Sequence, residues 1–293
     1  MPAELPAFPN ETTSRWSTLA VATAGLGHVE KTPAMPCQDA ADGVAAPRPA
    51  LVLADGAGSS PASDLGARTL VSAMLRLADT LEAQLAWLLD GREAPTADAV
   101  AQLAELLVRH AKGTLHDRAG EQCRPVRDLR CTLLLALVGR ERVLWLKVGD
   151  GELVLERAVP VNAAQETQEA SEAQNEEAPE LMPNLRTLGE RGKGEFANQT
   201  LFVDERLAFE QVQYGVETTA ALTGIALMSD GAAEKLVAYD GEQVSGQLSH
   251  WLDDLRQGKL RQRDLIRRFY SETFCRGTSG DDRSIALAAR DLP

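Results

Sequence analysis

Short, uninterrupted apolar runs set the pattern over much of this chain. "ALVLA" (50–54), "CTLLLALVG" (131–139), "RVLWLKVG" (142–149), "ELVLERAV" (152–159) and "GIALM" (224–228) are bounded by Gly, Pro or charged residues. They are too short for helices and predict strands. "WSTLAVATAGLGH" (16–28) predicts a strand that enters a Gly-rich turn. "QTLFVDE" (199–205), "FEQVQYGV" (209–216) and "DRSIALAAR" (282–290) predict three more. The runs between 131 and 159 are separated by very short turns, which predicts an antiparallel meander.

From Asp64 the period changes: Leu65, Leu70, Val71, Met74, Leu75, Leu77, Leu81 and Leu85 recur at helical spacing. Ser63 or Asp64 is the expected N-cap. A second helix is expected over 96–118 with Thr96 as its cap, and two more over about 232–256 and 261–274. Residues 1–15 are Pro-rich and polar and read as a loose arm. Residues 160–184 are acidic and almost without large apolar side chains, so about 160–198 reads as a flap inserted into one domain spanning 16–293. Hairpin-like strand clusters, interrupted by two long helices and followed by two more, give an α+β class in which two sheets can pack together with helices outside. No repeat at solenoid spacing is present.

Composition narrows the function. The chain has 293 residues, 44% of them hydrophobic but only 4% aromatic, and a net charge of −13. Such a surface repels phosphodiester backbones and anionic membranes, so neither is an expected partner. The cysteines Cys37, Cys123, Cys131 and Cys275 form no CxxC pair and read as reduced thiols. The N-terminus lacks a signal-peptide pattern and no stretch reaches the about 18 apolar residues of a membrane span. A soluble, cytoplasmic protein is expected.

Several aspartates stand where an apolar run meets a turn: Asp39 in "PCQDA", Asp55 in "LADGAG", Asp150 in "VGDGE", Asp230 in "MSDGA" and Asp281-Asp282 in "TSGDDRS". If their strands are neighbours, these carboxylates converge on one rim. Their repulsion then demands divalent cations or protons. An all-oxygen set suits Mg²⁺ or Mn²⁺. The glycines that follow allow tight turns, a free carbonyl as a further ligand and close approach of a phosphate. Asp-Gly is also a common turn signal, so spacing alone leaves open both ordinary turns and an acidic metal site.

Taken in order, "GLGHVEKTPAMPCQDA", "LVLADGAGSSPASDLGA", "CTLLLALVGRERVLWLKVGDGELVL", "GIALMSDGAAEKL" and "SGDDRSIALA" resemble the metal-dependent type 2C (PPM) Ser/Thr protein phosphatases, compact bacterial branch, over roughly 16–290. The resemblance implies two antiparallel sheets packed as a sandwich flanked by helix pairs, in four layers. It implies two Mn²⁺ or Mg²⁺ ions, with Asp55 bridging both, the Gly56 carbonyl completing one sphere, Asp230 and Asp281 holding one ion, and Asp39 orienting a metal-bound water. Asp150 matches the aspartate of a third, weaker site. Asp282 falls where many members have Asn. The implied reaction is in-line attack on phosphoserine or phosphothreonine by a metal-bridging hydroxide, with Asp39, Asp55, Asp230 and Asp281 as the catalytic set. The implied partners are a phosphorylated protein and an opposing Ser/Thr kinase, with the enzyme a monomer.

The chain departs from the family at three places. Ala57 stands where eukaryotic members have a His, Gln38 stands where they have a Glu, and the phosphate-binding Arg is missing; His28 and Lys31 are the candidates to replace it. The same departures motivate an alternative, a pseudophosphatase that binds phosphopeptides or partners without turnover. His110, His116 and His250 lie in helical stretches without metal-ligand spacing, Ser59-Ser60 lack a nucleophile elbow, and "GERGKGE" lacks a phosphate-loop ending.

Overall fold

The computed structural model describes residues 15–161, 180–190 and 200–291. The N-terminal arm to residue 14, most of the acidic 160–184 segment and Gly192–Gly194 lie outside them. The strands are β1 (Ser17–Thr23), β2 (Ala40–Val44), β3 (Ala50–Ala54), β4 (Leu133–Val138), β5 (Arg142–Val148), β6 (Glu152–Pro160), β7 (Leu181–Leu188), β8 (Gln213–Thr218), β9 (Leu222–Met228) and β10 (Arg283–Ala289). The helices are α1 (Leu26–Val29), α2 (Ser63–Thr80), α3 (Glu82–Leu89), α4 (Ala97–Glu121), α5 (Asp230–Ala233), α6 (Gln247–Arg256), α7 (Gln262–Phe269) and α8 (Glu272–Cys275).

Two five-stranded antiparallel sheets run β1-β10-β9-β6-β7 and β2-β3-β4-β5-β8. One face of each is buried against the other sheet: Leu51, Leu53, Leu134 and Ala136 meet Leu153, Ile225, Leu227 and Ala286. The outer face of the β2–β8 sheet, including Val52, Leu133 and Leu135, packs on α2, α3 and α4. The outer face of the β1–β7 sheet, including Val154, Met228 and Ile285, packs on α6 and α7. The expected four-layer α-β-β-α sandwich is therefore present. It also explains the uninterrupted apolar runs: central strands buried on both faces have no solvent side to alternate with.

The meander expected over 131–159 holds only for its first two strands. β4 and β5 pair with Leu133 opposite Val148, but β6 pairs with β9 and β7 in the other sheet. Gly149-Asp150-Gly151 is thus a crossover between sheets. The turn chemistry is the same for a hairpin and a crossover, and the partner is set by the apolar faces that need covering. "QTLFVDE" forms no strand among its described residues; Val203 makes one isolated bridge to Cys131. In "FEQVQYGV" the strand is displaced to β8, after a short 3-10 turn at Phe209–Gln211. β7 runs through the C-terminal part of the stretch read as a flap, at one edge of its sheet.

Helix continuity is also corrected. The helix running on to Leu85 breaks at Leu81 into α2 and α3. Ser63 is not a cap but the first residue of α2, and its Oγ accepts from Gln38 Nε2 at 2.7 Å and donates to the Ser60 carbonyl. Thr96 does cap α4, accepting from Ala99 N. The single helix expected over 232–256 is α5 and α6 separated by a small turn, in which Gly241 takes a φ of +76° and Val237 bridges Val244. The last helix likewise divides into α7 and α8.

Arg48, 8% exposed, ties the helical layer to the sheet. Its guanidinium donates to both oxygens of Glu82, both of Asp90 and the Val138 carbonyl. Arg48→Ala strands these acceptors and is expected to cost about 2 kcal/mol, the low side of a broken buried pair because Glu82 keeps contact with water. Urea denaturation checks this, and an unchanged midpoint would refute it.

Candidate metal centre

Strand register gathers the acids. β2 and β3 pair with Ala40 opposite Ala54, so Asp39, just before β2, and Asp55, just after β3, stand side by side. β9 and β10 pair with Ile285 opposite Met228, which brings Asp230, just after β9, close to the Asp281-Asp282 pair that leads into β10. Asp150 belongs to the crossover after β5. The two sheets meet directly: Ser284 Oγ donates to Asp39 Oδ2 at 2.8 Å, across 245 residues of sequence. The Asp55 turn is pinned to the neighbouring chain, its N–H donating to Thr132 Oγ1 at 2.9 Å and its carbonyl accepting from Thr132 N at 2.8 Å.

Crowding here is steric as well as electrostatic. A Cβ on Gly56 would come within 2.6 Å of the Gln38 carbonyl, and one on Gly231 within 2.2 Å of the Asp282 carbonyl. Glycine after Asp55 and Asp230 therefore serves close approach of loops.

Asp55, Asp150, Asp230, Asp281 and Asp282 line one cleft of about 150 Å³, together with Gln38 and Phe202. Asp39 is buried and does not form part of its wall. Burial, then the charges of Asp39, Asp230, Asp150 and Asp281, push the Asp55 carboxyl well above its ordinary range. Burial, outweighing the Ser284 hydrogen bond and reinforced by Asp282, raises Asp39 to about 8. Burial, then Asp150 and Asp281, raises Asp230 to about 6. Asp39 Oδ1 is buried without a hydrogen-bond partner among the described residues. Hard oxygen donors that repel one another, with one oxygen orphaned, fit divalent cations such as Mg²⁺ or Mn²⁺.

Asp282 does a different job from its neighbour. Asp281 is exposed, whereas Asp282 is buried and ties the N-terminal loop: Oδ1 accepts from Gly25 N at 2.8 Å and Oδ2 from Gln38 N at 2.6 Å. His28 Nδ1 lies 2.8 Å from Asp282 Oδ1, so the ring faces a carboxylate and is absent from the cleft wall. Lys31 is exposed, with Nζ 3.1 Å from Met35 Sδ, and does not line the cleft either. His110 and His116 lie on α4 and His250 on α6. Cys131 is buried beside Asp55, and burial raises its thiol pKa.

Three participants had no clear signal in the sequence. Thr132 and Ser284 follow conspicuous residues, in "CT" and "DDRS", but only register puts their hydroxyls on the aspartates. Thr200, whose Oγ1 donates to Asp150 Oδ2 at 2.5 Å, lies on a segment read as a strand.

The sequence profile of the Protein phosphatase 2C family matches residues 25–265. A search of curated proteins finds no match. Among solved structures, the chain is similar to the catalytic domain of the serine/threonine protein phosphatase PstP in complex with two manganese ions. That match has 17% identity and a TM-score of 0.56, and covers 96% of this chain and 100% of that one. It is also similar to the serine/threonine phosphatase Stp1 from Staphylococcus aureus (15% identity, TM-score 0.53, covering 99% and 100%). A third is the serine-threonine phosphatase 2C from Toxoplasma gondii (13% identity, TM-score 0.57, covering 99% and 98%). These likenesses carry the fold, and the profile match over most of the sequence carries the family: the chain belongs to the Protein phosphatase 2C family.

Proposed function

We propose that the chain is a divalent-metal-dependent phosphatase that hydrolyses phosphoserine and phosphothreonine in proteins. The observation that carries this reading is the position of Asp55, whose carboxyl feels the charges of Asp39, Asp150, Asp230 and Asp281 at once. A set of that kind suits the two manganese ions described for PstP. Asp55, the Gly56 carbonyl, Asp230 and Asp281 would hold two Mn²⁺ or Mg²⁺ ions, and Asp150 a third. The chemistry two such cations supply is Lewis acidity, which lowers the pKa of water towards neutrality and offsets charge growing on phosphoryl oxygens.

The chain's own residues do the rest. Asp39 Oδ1, without a hydrogen-bond partner among the described residues, can accept a hydrogen bond from water and so orient it, while Ser284 fixes the other oxygen. Thr132 holds the Asp55 turn in place. Ala57 offers no proton, so the leaving serine or threonine alkoxide would take its proton from water.

Purified protein is expected to hydrolyse an aryl phosphate with Mn²⁺. Asp55→Asn and Asp230→Asn should each lower the rate about 100-fold or more. Wild-type protein inert with Mn²⁺, Mg²⁺ and Co²⁺ would overturn the reading. Ser284→Ala, which frees Asp39 from the second sheet, should weaken Mn²⁺ binding by about 10-fold to 100-fold in calorimetry; an unaltered isotherm would remove that role.

Stability should follow pH in a defined direction. The carboxyls of Asp39 and Asp230 titrate at about 8 and about 6 in the folded protein, above their ordinary 3.8. Between these values the folded state holds protons that the unfolded chain has released. The contribution of these two groups to the stability of metal-free protein is therefore fully present below about pH 4 and is lost as pH rises towards 8. Mn²⁺ at 100 times its Kd should restore about 2.7 kcal/mol at pH 8. Urea midpoints at pH 5 and 8, in EDTA and in Mn²⁺, decide this; equal midpoints in EDTA would contradict it.

A further inference from the structure

The cleft is large enough for a phosphoryl group but not for a peptide, so the residues flanking the phosphoresidue must cross its rim. One part of that rim is built around Arg130. Its carbonyl accepts from Ala57 N at 3.1 Å, which fixes it beside the turn that carries Asp55. Its side chain reaches back along the same turn: Nε donates to Ser60 Oγ at 3.0 Å and Nη2 to Ser59 Oγ at 2.7 Å. The guanidinium carbon lies 5.4 Å from the ring centroid of Phe202. Phe202 is held in place because the next residue, Val203, donates its N–H to the Cys131 carbonyl at 2.7 Å.

Phe202 and Gly58 line the cleft, whereas Arg130 stands one step outside it. Its two serine contacts leave further N–H donors of the guanidinium without a partner among the described residues, and no described carboxylate pairs with it. This contrasts with Arg48, Arg68, Arg109, Arg118, Arg256 and Arg276, each of which is paired with an acid. An arginine oriented by two hydroxyls and an aromatic face, with its charge unspent in a protein of net charge −13, is pre-organised for an incoming oxyanion.

We propose that Arg130, backed by Phe202, is a specificity-determining residue that binds an acidic side chain next to the phosphoresidue of the substrate. The inference rests on the phosphatase reading for its ligand, a phosphopeptide seated in the cleft. The oxyanion it takes is a carboxylate of Asp or Glu or a second phosphoryl group, which share the fork geometry that guanidinium matches.

The test uses matched phosphopeptides with neutral, glutamate, phosphoserine or lysine residues beside the phosphoserine. Hydrolysis (kcat and KM) and binding by fluorescence anisotropy are measured for wild type, Arg130→Gln, Arg130→Lys, Arg130→Glu and Phe202→Leu, with melting temperatures as a check on folding. Wild type should favour the anionic peptides over the neutral one about fivefold to tenfold, mainly in KM and Kd. The glutamate and phosphoserine arms tell which anion is preferred. Arg130→Gln should abolish the preference, Arg130→Lys should keep part of it, and Phe202→Leu should weaken it. Arg130→Glu should invert it towards the lysine peptide.

A ratio of anionic to neutral peptide that Arg130→Gln and Arg130→Glu leave unchanged overturns the proposal. So does an equal loss on every peptide and on an aryl phosphate, which would put Arg130 on the transferred phosphoryl group or in a structural role. Anisotropy reads the ratio even without turnover, so an inactive wild type with an Arg130-dependent ratio would sink the hydrolytic reading and keep this one.

Discussion

Mutual repulsion of carboxylates at one end of the sandwich is the constraint to which the surrounding structure answers. Two such groups about 5 Å apart repel by about 3 kcal/mol at an effective dielectric near 20, and Asp55 has four acidic neighbours. A flexible frame would relieve that energy by moving apart. This frame cannot, because the acids are carried at the ends of strands whose residues are buried on both faces, such as Ala50–Ala54 and Leu222–Met228. Close packing of two sheets and two helical layers resists the outward push. The interior thus serves the site by being stiff.

Cross-links at the rim complete the restraint. Ser284 joins the sheets through Asp39. Asp282, which stands where the family resemblance has Asn in many members, uses both oxygens to hold the loop containing Gly25, His28 and Gln38. Both members of the Asp281-Asp282 pair line the cleft, Asp281 from an exposed position and Asp282 as a buried clamp on the N-terminal loop.

Much of this was legible from the residues. Buried strands were marked by their apolar runs, and Asp39, Asp55, Asp150, Asp230 and Asp281 by their places at strand ends. The dipeptide alone was no guide: Asp-Gly also occurs at 42–43, 90–91 and 240–241. The first lies inside β2, the second follows α3, and the third makes the surface turn beside Tyr239, which is 95% exposed. What separates the convergent copies is a strand just before them whose last three residues are all buried. The route of β6 into the other sheet was illegible because a short Gly-Asp-Gly link is compatible with either partner. The helix expected over about 232–256 is interrupted at its own Asp240-Gly241, where Gly241 takes a φ of +76°. The hydroxyls of Thr132 and Ser284 gain meaning only from cross-strand register, which local spacing does not encode.

The pairing of β1 with β10, Ser17 opposite Ala289, has a consequence for biosynthesis. The first strand of the sandwich lacks its neighbour until residue 289 has left the ribosome, and the acids at 281 and 282 arrive in the same closing stretch. A nascent chain therefore carries Asp39 and Asp55 for more than two hundred residues without the groups that complete their surroundings. The carboxylate cluster is therefore complete only once residues 281–289 have emerged and β10 has closed the sheet beside β1.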